Sequence, residues 1–257
     1  MVFTLITGAS KGIGKAIAEE LAKRQHNLLL IARSEKLLQE ETKRLSDQYK
    51  IKTDYLAIDL SSPDTPGNLY NWCVEKNYSV NILVNNAGYG LSGSMEKYEE
   101  AENIDMMQVN MITPVHLCQL FLPMLRQQDK SYILNIASSA AYQAIPYLSI
   151  YSATKVFILN FSRGLRQELR KTPVSVTCIS PGATNTDFVV RAKIGEKGLK
   201  AADKVNMSPE AVARIAVNAM FAGKAEVITG FVNKLGAFMV WLLPKILVER
   251  IAMRIYE

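Results

Sequence analysis

Seven apolar runs of strand length punctuate the chain, at residues 2–6, 27–31, 53–58, 81–84, 131–136, 174–179 and, more weakly, 226–229. The segments between them carry helical periodicity: Ile13, Ile17 and Leu21 recur on one face of the first, and Phe157, Ile158, Phe161 and Leu165 do so in a later one. The strand runs lack strict period-two alternation, so each reads as a strand buried on both faces. Strands of that kind alternating with helices predict a doubly wound α/β architecture of three layers, with a mostly parallel seven-stranded sheet between two layers of helices. No repeat, low-complexity stretch or linker divides the 257 residues, and one core can fill that length, so residues 1–257 read as a single domain.

Composition removes several function classes. Hydrophobic residues make up 49% and charged residues 21%, which excludes disordered, collagen-like and disulfide-scaffold chains. The formal net charge of +6 comes from Lys and Arg interspersed with acids, so the basic patch of a nucleic-acid binder is missing. Cys73, Cys118 and Cys178 form no C-x-x-C pair, which points away from a disulfide framework or a zinc site and toward a reducing cytoplasm. The first residues, Met1 to Ile6, run straight into a glycine motif and read as a strand rather than a signal peptide. The longest apolar run, residues 235–243, is far short of the roughly 20 residues that span a bilayer.

In a doubly wound sheet ligands bind beyond the carboxyl ends of the strands, so the residues there carry the most information. After the first strand come Thr7-Gly8-Ala9-Ser10-Lys11-Gly12-Ile13-Gly14, opening a helix. Glycines permit a tight turn and close backbone approach, and the free N–H groups of the helix start favour a phosphate. The spacing G-x-x-x-G-x-G differs from the commoner G-x-G-x-x-G, and by itself it also suits a purely structural turn. The second strand ends at Ala32-Arg33, where an acid would hold the ribose 2′-hydroxyl of NAD and an arginine would accept a 2′-phosphate. Arg33 and Lys11 therefore favour NADP(H) over NAD(H), unless both are solvated surface charges. Asp59-Leu60 follows the third strand and Asn86-Ala87-Gly88 the fourth, each equally readable as a turn or helix cap.

After the fifth strand comes Ser138, and then Tyr151 and Lys155 at i and i+4 on one helix face. A free phenol has a pKa of about 10, and an adjacent ammonium lowers it, so the pair can serve as a tunable general acid/base. Ser138 would orient a substrate oxygen beside the phenol. A Tyr-x-x-x-Lys pair also arises on ordinary amphipathic helices.

Taken together, the order and spacing of these motifs over residues 2–229 resemble the short-chain dehydrogenases/reductases in their single-domain, Rossmann-fold, NADP-preferring form. The resemblance implies that Gly8, Gly12 and Gly14 line the pyrophosphate and that Asp59 meets the adenine region, with Ser10, Lys11, Ile13, Arg33 and Leu60 also among the cofactor-binding residues. Asn86, Ala87 and Gly88 would pack near the adenosine ribose, and Pro181, Gly182 and Thr186 would contact the nicotinamide carboxamide and phosphates. Tyr151 would donate the proton, Lys155 would bind the nicotinamide ribose and depress the Tyr151 pKa, Ser138 would hold the carbonyl, and Asn110 would complete a proton relay. The implied reaction is reversible hydride transfer between nicotinamide and a ketone or secondary alcohol of small-molecule size, apolar or acyl-type. The implied assembly is a homodimer or homotetramer.

Residues 185–207 correspond to a substrate lid in that family, with Arg191, Lys193, Lys197, Lys200 and Lys204 adding positive charge. Residues 230–257 depart from the family's minimal pattern: an amphipathic helical extension with Lys234, Lys245, Arg250 and Arg254 among many apolar side chains, broken at Pro244. Such a tail covers the substrate pocket, fills a subunit interface or lies on a membrane surface. His26 and His116 stand apart from the motifs, no metal site is implied, and the cysteines read as buried filler. Two further readings compete: an idle NADP-binding sensor or scaffold, and a peripheral membrane protein working through its tail.

Overall fold

All seven strand-length runs of the sequence form strands in the computed structural model, which describes residues 1–203 and 205–256. Lys204, counted above among the lid cations, lies outside the described residues. In chain order the main elements are β1 (Val2–Thr7), α1 (Gly12–Ala22), β2 (Asn27–Ala32), α2 (Glu35–Tyr49), β3 (Thr53–Ala57), α3 (Thr65–Glu75), β4 (Ser79–Asn85), α4 (Glu100–Met107) and α5 (Thr113–Arg126). There follow β5 (Ser131–Ile136), α6 (Ser149–Glu168), β6 (Val174–Ser180), α7 (Phe188–Arg191), α8 (Glu196–Asp203), α9 (Pro209–Phe221), β7 (Glu226–Ile228), α10 (Phe231–Leu242) and α11 (Lys245–Tyr256). The strands pair in the order β3-β2-β1-β4-β5-β6-β7, and every pairing is parallel.

Side-chain alternation along each central strand feeds two cores. Phe3, Leu5, Leu29, Ile31, Leu83 and Ile133 pack beneath α3, α4, α5 and α6. Ile6, Leu28, Leu30, Ile82, Val84 and Leu134 pack beneath α1, α2 and α9. Each fully buried Leu or Ile contributes roughly 1.5–3 kcal/mol, so burial on both faces, rather than strand propensity, holds the sheet in register. The expectation of two-faced burial fails only toward the edges, where β3 and β7 remain half-exposed because a single neighbour covers each.

Several boundaries follow from local chemistry. The Ser208 hydroxyl accepts from the Ala211 N–H at 3.2 Å and starts α9. Pro244 separates α10 from α11, as its missing N–H requires. Between α4 and α5 the helix widens into a π-turn over Gln108–Ile112, which aims Asn110 inward. Strand order reverses between β1 and β4, so a crevice opens beyond their carboxyl ends.

One excursion rises over that crevice. The segment containing α7 and α8 leaves and returns at a single point, where Thr184 bridges to Met207, the Asn185 N–H donates to the Met207 carbonyl at 3.0 Å, and the Met207 N–H donates to the Ala183 carbonyl at 3.1 Å.

Candidate active site

The crevice at the switch point is a cleft of about 1150 Å³, and it gathers every residue nominated from the sequence except Gly14 and Asn110. At one end lies the glycine turn. Gly8 and Gly12 have φ of +67° and +56°, the left-handed region that glycine alone enters without strain. Gly14 sits behind the turn, and a Cβ there would run into the Gly8 carbonyl oxygen and the Asn86 amide. There it allows α1 to pack closely against the ends of β1 and β4.

Thr7 and Asn86 clamp this turn to β4. The Thr7 hydroxyl donates to the Val84 carbonyl at 3.2 Å and accepts from the N–H groups of Asn86 and Ala87 at 3.0 and 3.1 Å. The Asn86 amide donates to the carbonyls of Thr7 and Gly8 at 2.9 and 3.2 Å. Both donors of Asn86 thus serve the shape of the turn. Thr7 was missed from the sequence because a hydroxyl at a strand end looks like ordinary strand chemistry.

The cations of this end are less free than the sequence implied. Lys11 pairs with Asp187 at 2.7 Å, and Arg33 lies 4.0 Å from Asp59. Asp187 comes from the segment over the cleft, a juxtaposition that no local motif reveals. A third cation joins them: Arg191 of α7 lies over the Tyr89 ring, 3.8 Å from its centroid. Burial, and then the neighbouring Arg33, hold Arg191 below the usual guanidinium range. Two arginines thus converge on one part of the cleft, an arrangement that an anion between them would relieve.

At the other end Ser138, Tyr151 and Lys155 meet. Ser138 follows β5 and accepts from the Ala140 N–H at 3.1 Å, opening a 3₁₀ turn at Ser139–Tyr142. Tyr151 and Lys155 project from α6, and the Lys155 ammonium lies 5.8 Å from the Tyr151 ring centre while donating to the Ile136 carbonyl at 3.0 Å. Spacing alone suggested that the ammonium would lower the phenol pKa; in the structure burial dominates both groups. It pushes Tyr151 up to about 12, a hydrogen bond from Ser138 offsetting part of that, and it pushes Lys155 down to about 8. Both charged forms are penalised by the same dry surroundings.

Asn110 stands behind this pair. Its amide donates to the Tyr89 carbonyl at 2.9 Å and to the Thr154 hydroxyl at 3.1 Å, and its oxygen accepts from the Tyr89 N–H at 3.1 Å. A Cβ on Gly88 would come within 3.0 Å of that oxygen and 3.3 Å of the Lys155 ammonium, so the glycine keeps the space before them open.

Apolar residues complete the cleft. Phe188 of α7 packs on the Tyr151 ring at 5.2 Å between centroids. Val232 and Val240 of α10 form a wall, and Tyr256 of α11 reaches the same cavity beside Gly198 of α8. Burial raises the Tyr256 phenol, and its proximity raises that of Tyr151 further. Sequence reasoning named the tail but not Tyr256, whose place depends on how α11 folds back on α8.

Comparison with known proteins agrees with this geometry. The sequence model of the family described as short chain dehydrogenase matches residues 3–197. Very-long-chain 3-oxoacyl-CoA reductase-A of Danio rerio is 35% identical over 186 residues, which cover 70% of this chain and 57% of that protein. This chain therefore matches little more than half the length of that relative. An uncharacterized oxidoreductase of Staphylococcus epidermidis is 31% identical over 193 residues, covering 75% of this chain and 82% of the relative. Among solved structures, a short-chain dehydrogenase from Sphingobium yanoikuyae in complex with NADPH superposes with a TM-score of 0.83 at 28% identity, covering 94% of each chain.

Proposed function

The chain belongs to the short-chain dehydrogenase family, and from that premise we propose that it is an NADP(H)-dependent oxidoreductase interconverting a ketone and a secondary alcohol. The observation that carries this reading is the meeting of Ser138, Tyr151 and Lys155 in one cleft with the glycine turn. The left-handed glycines at 8 and 12 and the bare Gly88 leave a cradle that side chains would fill, which suits a dinucleotide.

In this reading Ser10, Lys11, Gly12 and Ile13 hold the pyrophosphate at the start of α1, and Asp59 and Leu60 flank the adenine. Arg33 faces the 2′-phosphate, and the mutual repulsion of Arg33 and Arg191 supports an anion at that point. Lys155 holds the ribose next to the nicotinamide, and Pro181, Gly182 and Thr186 hold the carboxamide. The bound nicotinamide supplies or accepts the hydride at the carbonyl carbon.

Ser138 donates a hydrogen bond to the substrate oxygen and fixes it beside the phenol. Tyr151, protonated at neutral pH because burial raises its pKa to about 12, then gives that oxygen a proton. Lys155 stays largely charged below its pKa of about 8 and stabilises the phenolate left behind. Asn110, Thr154 and Tyr89 keep the wall behind Lys155 rigid.

Phe188, Val232, Val240 and Tyr256 give the substrate end an apolar lining, which supports an apolar or acyl-type carbonyl substrate. The segment pinned at Thr184 and Met207 acts as the lid over it. Exposed Ile104, Ile112, Val156 and Phe157 on and beside α4 and α6 support self-association through those helices.

The test is fluorescence titration of NADPH and NADH into wild type and Arg33→Ala at fixed salt, followed by a ketone panel with the tighter nucleotide. NADPH should bind at least about tenfold tighter, equivalent to about 1.4 kcal/mol, and Arg33→Ala should remove most of that gap. Failure of both nucleotides to bind, or binding without turnover of any ketone, refutes the proposal.

A further inference from the structure

We propose that the outer face of α10 and α11 docks the protein on an anionic phospholipid bilayer. The inner faces of both helices are turned to the rest of the chain. Asn233, Gly236, Ala237 and Val240 of α10 turn toward the cleft, and Val248 and Ala252 of α11 are buried. The outer faces are nevertheless apolar. Phe231 is 79% exposed, Phe238 54% and Trp241 79%, with Leu235, Leu242 and Ile246 beside them, each at least 49% exposed. The rings of Phe238 and Trp241 pack against each other at a tilt of 32°, with centroids 6.0 Å apart. At about 200 Å² of surface per aromatic side chain, these three rings alone display on the order of 400 Å², as much as the largest patch of an ordinary monomer. Folding of this chain does not require that surface to be apolar.

Charge identifies the occupant. Lys234, Lys245, Arg250 and Arg254 are interspersed among the apolar side chains and are all exposed, against the half-buried Glu249 as the one acid among the described residues of α10 and α11. A basic, tryptophan-bearing apolar face is complementary to acyl chains beneath anionic headgroups. A second copy would bring the same cations against each other across the interface, which repels. No helix among the described residues is long and apolar enough to cross a membrane, so the pair would lie on the bilayer rather than span it. The membrane would then rest on the outside of one wall of the cleft, whatever reaction the cleft performs.

The experiment uses the full chain with vesicles of equimolar phosphatidylcholine and phosphatidylglycerol, and vesicles of phosphatidylcholine alone. The protein should sediment with the anionic vesicles, less at high salt and less with neutral lipid. Tryptophan emission should shift to the blue; because the chain has 2 Trp residues, loss of the shift in Trp241→Phe assigns it to α10 rather than Trp72. The double variant Phe238→Glu/Trp241→Glu should lose vesicle binding with an unchanged circular dichroism spectrum. Lys245→Gln and Arg250→Gln should each weaken binding about fivefold. A folded wild type that ignores anionic vesicles overturns the proposal, and equal binding to neutral vesicles overturns its headgroup part. If the wild type ignores vesicles and sediments as a dimer that the double variant dissociates, the face belongs to a second copy.

Discussion

Replacing Lys155 with Met should make the protein more stable at pH 7 while removing its activity. The lysine is almost wholly buried, and its ammonium is pushed from the usual 10.5 down to about 8. At about 1.4 kcal/mol per tenfold change in protonation, holding the charge in that site costs the fold about 3 kcal/mol. Methionine fills a similar volume without charge, but it leaves the Ile136 carbonyl without the donor now 3.0 Å away, a loss of about 1 kcal/mol. The net gain is about 2 kcal/mol, or a rise in Tm of roughly 4–8 °C for a chain of this size. The pH dependence fixes the cause. The folded pKa lies below the unfolded one, so between about pH 8 and 10.5 the unfolded chain binds the extra proton and wild-type stability rises with pH. By pH 10 the wild type should have regained most of that cost, roughly 2–3 kcal/mol, and the advantage of Lys155→Met should vanish. Urea denaturation of both proteins at pH 7 and pH 10 measures this directly. A variant less stable than wild type at pH 7, or one whose midpoint differs from wild type equally at both pH values, refutes the reasoning.

Other expectations follow from the same cleft. Tyr151→Phe should lower kcat by about 10²–10⁴-fold with nucleotide affinity unchanged in a fluorescence titration, since in the proposed reaction the phenol acts on the substrate oxygen. In the reductive direction kcat should hold near pH 7 and fall as pH rises through about 8, where Lys155 loses its proton; a flat profile to pH 10 contradicts that role. Gly14→Ala drives a Cβ into the Gly8 carbonyl and the Asn86 amide, and should cost about 1–3 kcal/mol in thermal unfolding and weaken nucleotide binding. Tyr256→Ala opens the apolar end of the cleft, and should raise kcat/KM for a bulky ketone relative to a small one in paired assays.

The sequence disclosed those parts of this protein that depend on local pattern. Strand runs and helix periodicity gave the seven strands nearly to the residue, because burial on both faces leaves an uninterrupted apolar signature. The β4 start was missed by two residues, since Ser79 is polar and sits where the strand emerges from cover. Residues after each strand were legible as the lining of one crevice for the same local reason: topology sends strand ends there. What could not be read was pairing across long separation. Lys11 with Asp187, Arg191 over Tyr89 and Tyr256 beside Gly198 each join segments that meet only once the excursion over the cleft and the tail fold back.

Burial was the other unread quantity, and it reverses the simplest account of the acid/base pair. From spacing, Lys155 exists to lower the pKa of Tyr151; from the structure, both groups are held in a dry wall that disfavours charge on either. That arrangement suits proton donation, because a phenol with a pKa of about 12 holds its proton at neutral pH until the substrate oxygen gains negative charge. Lys155 can stabilise the resulting phenolate most effectively where water does not screen it. The stability lost by burying the lysine and the transition-state stabilisation assigned to it in the proposed reaction therefore share one physical origin, which is why Lys155→Met should trade the second for the first.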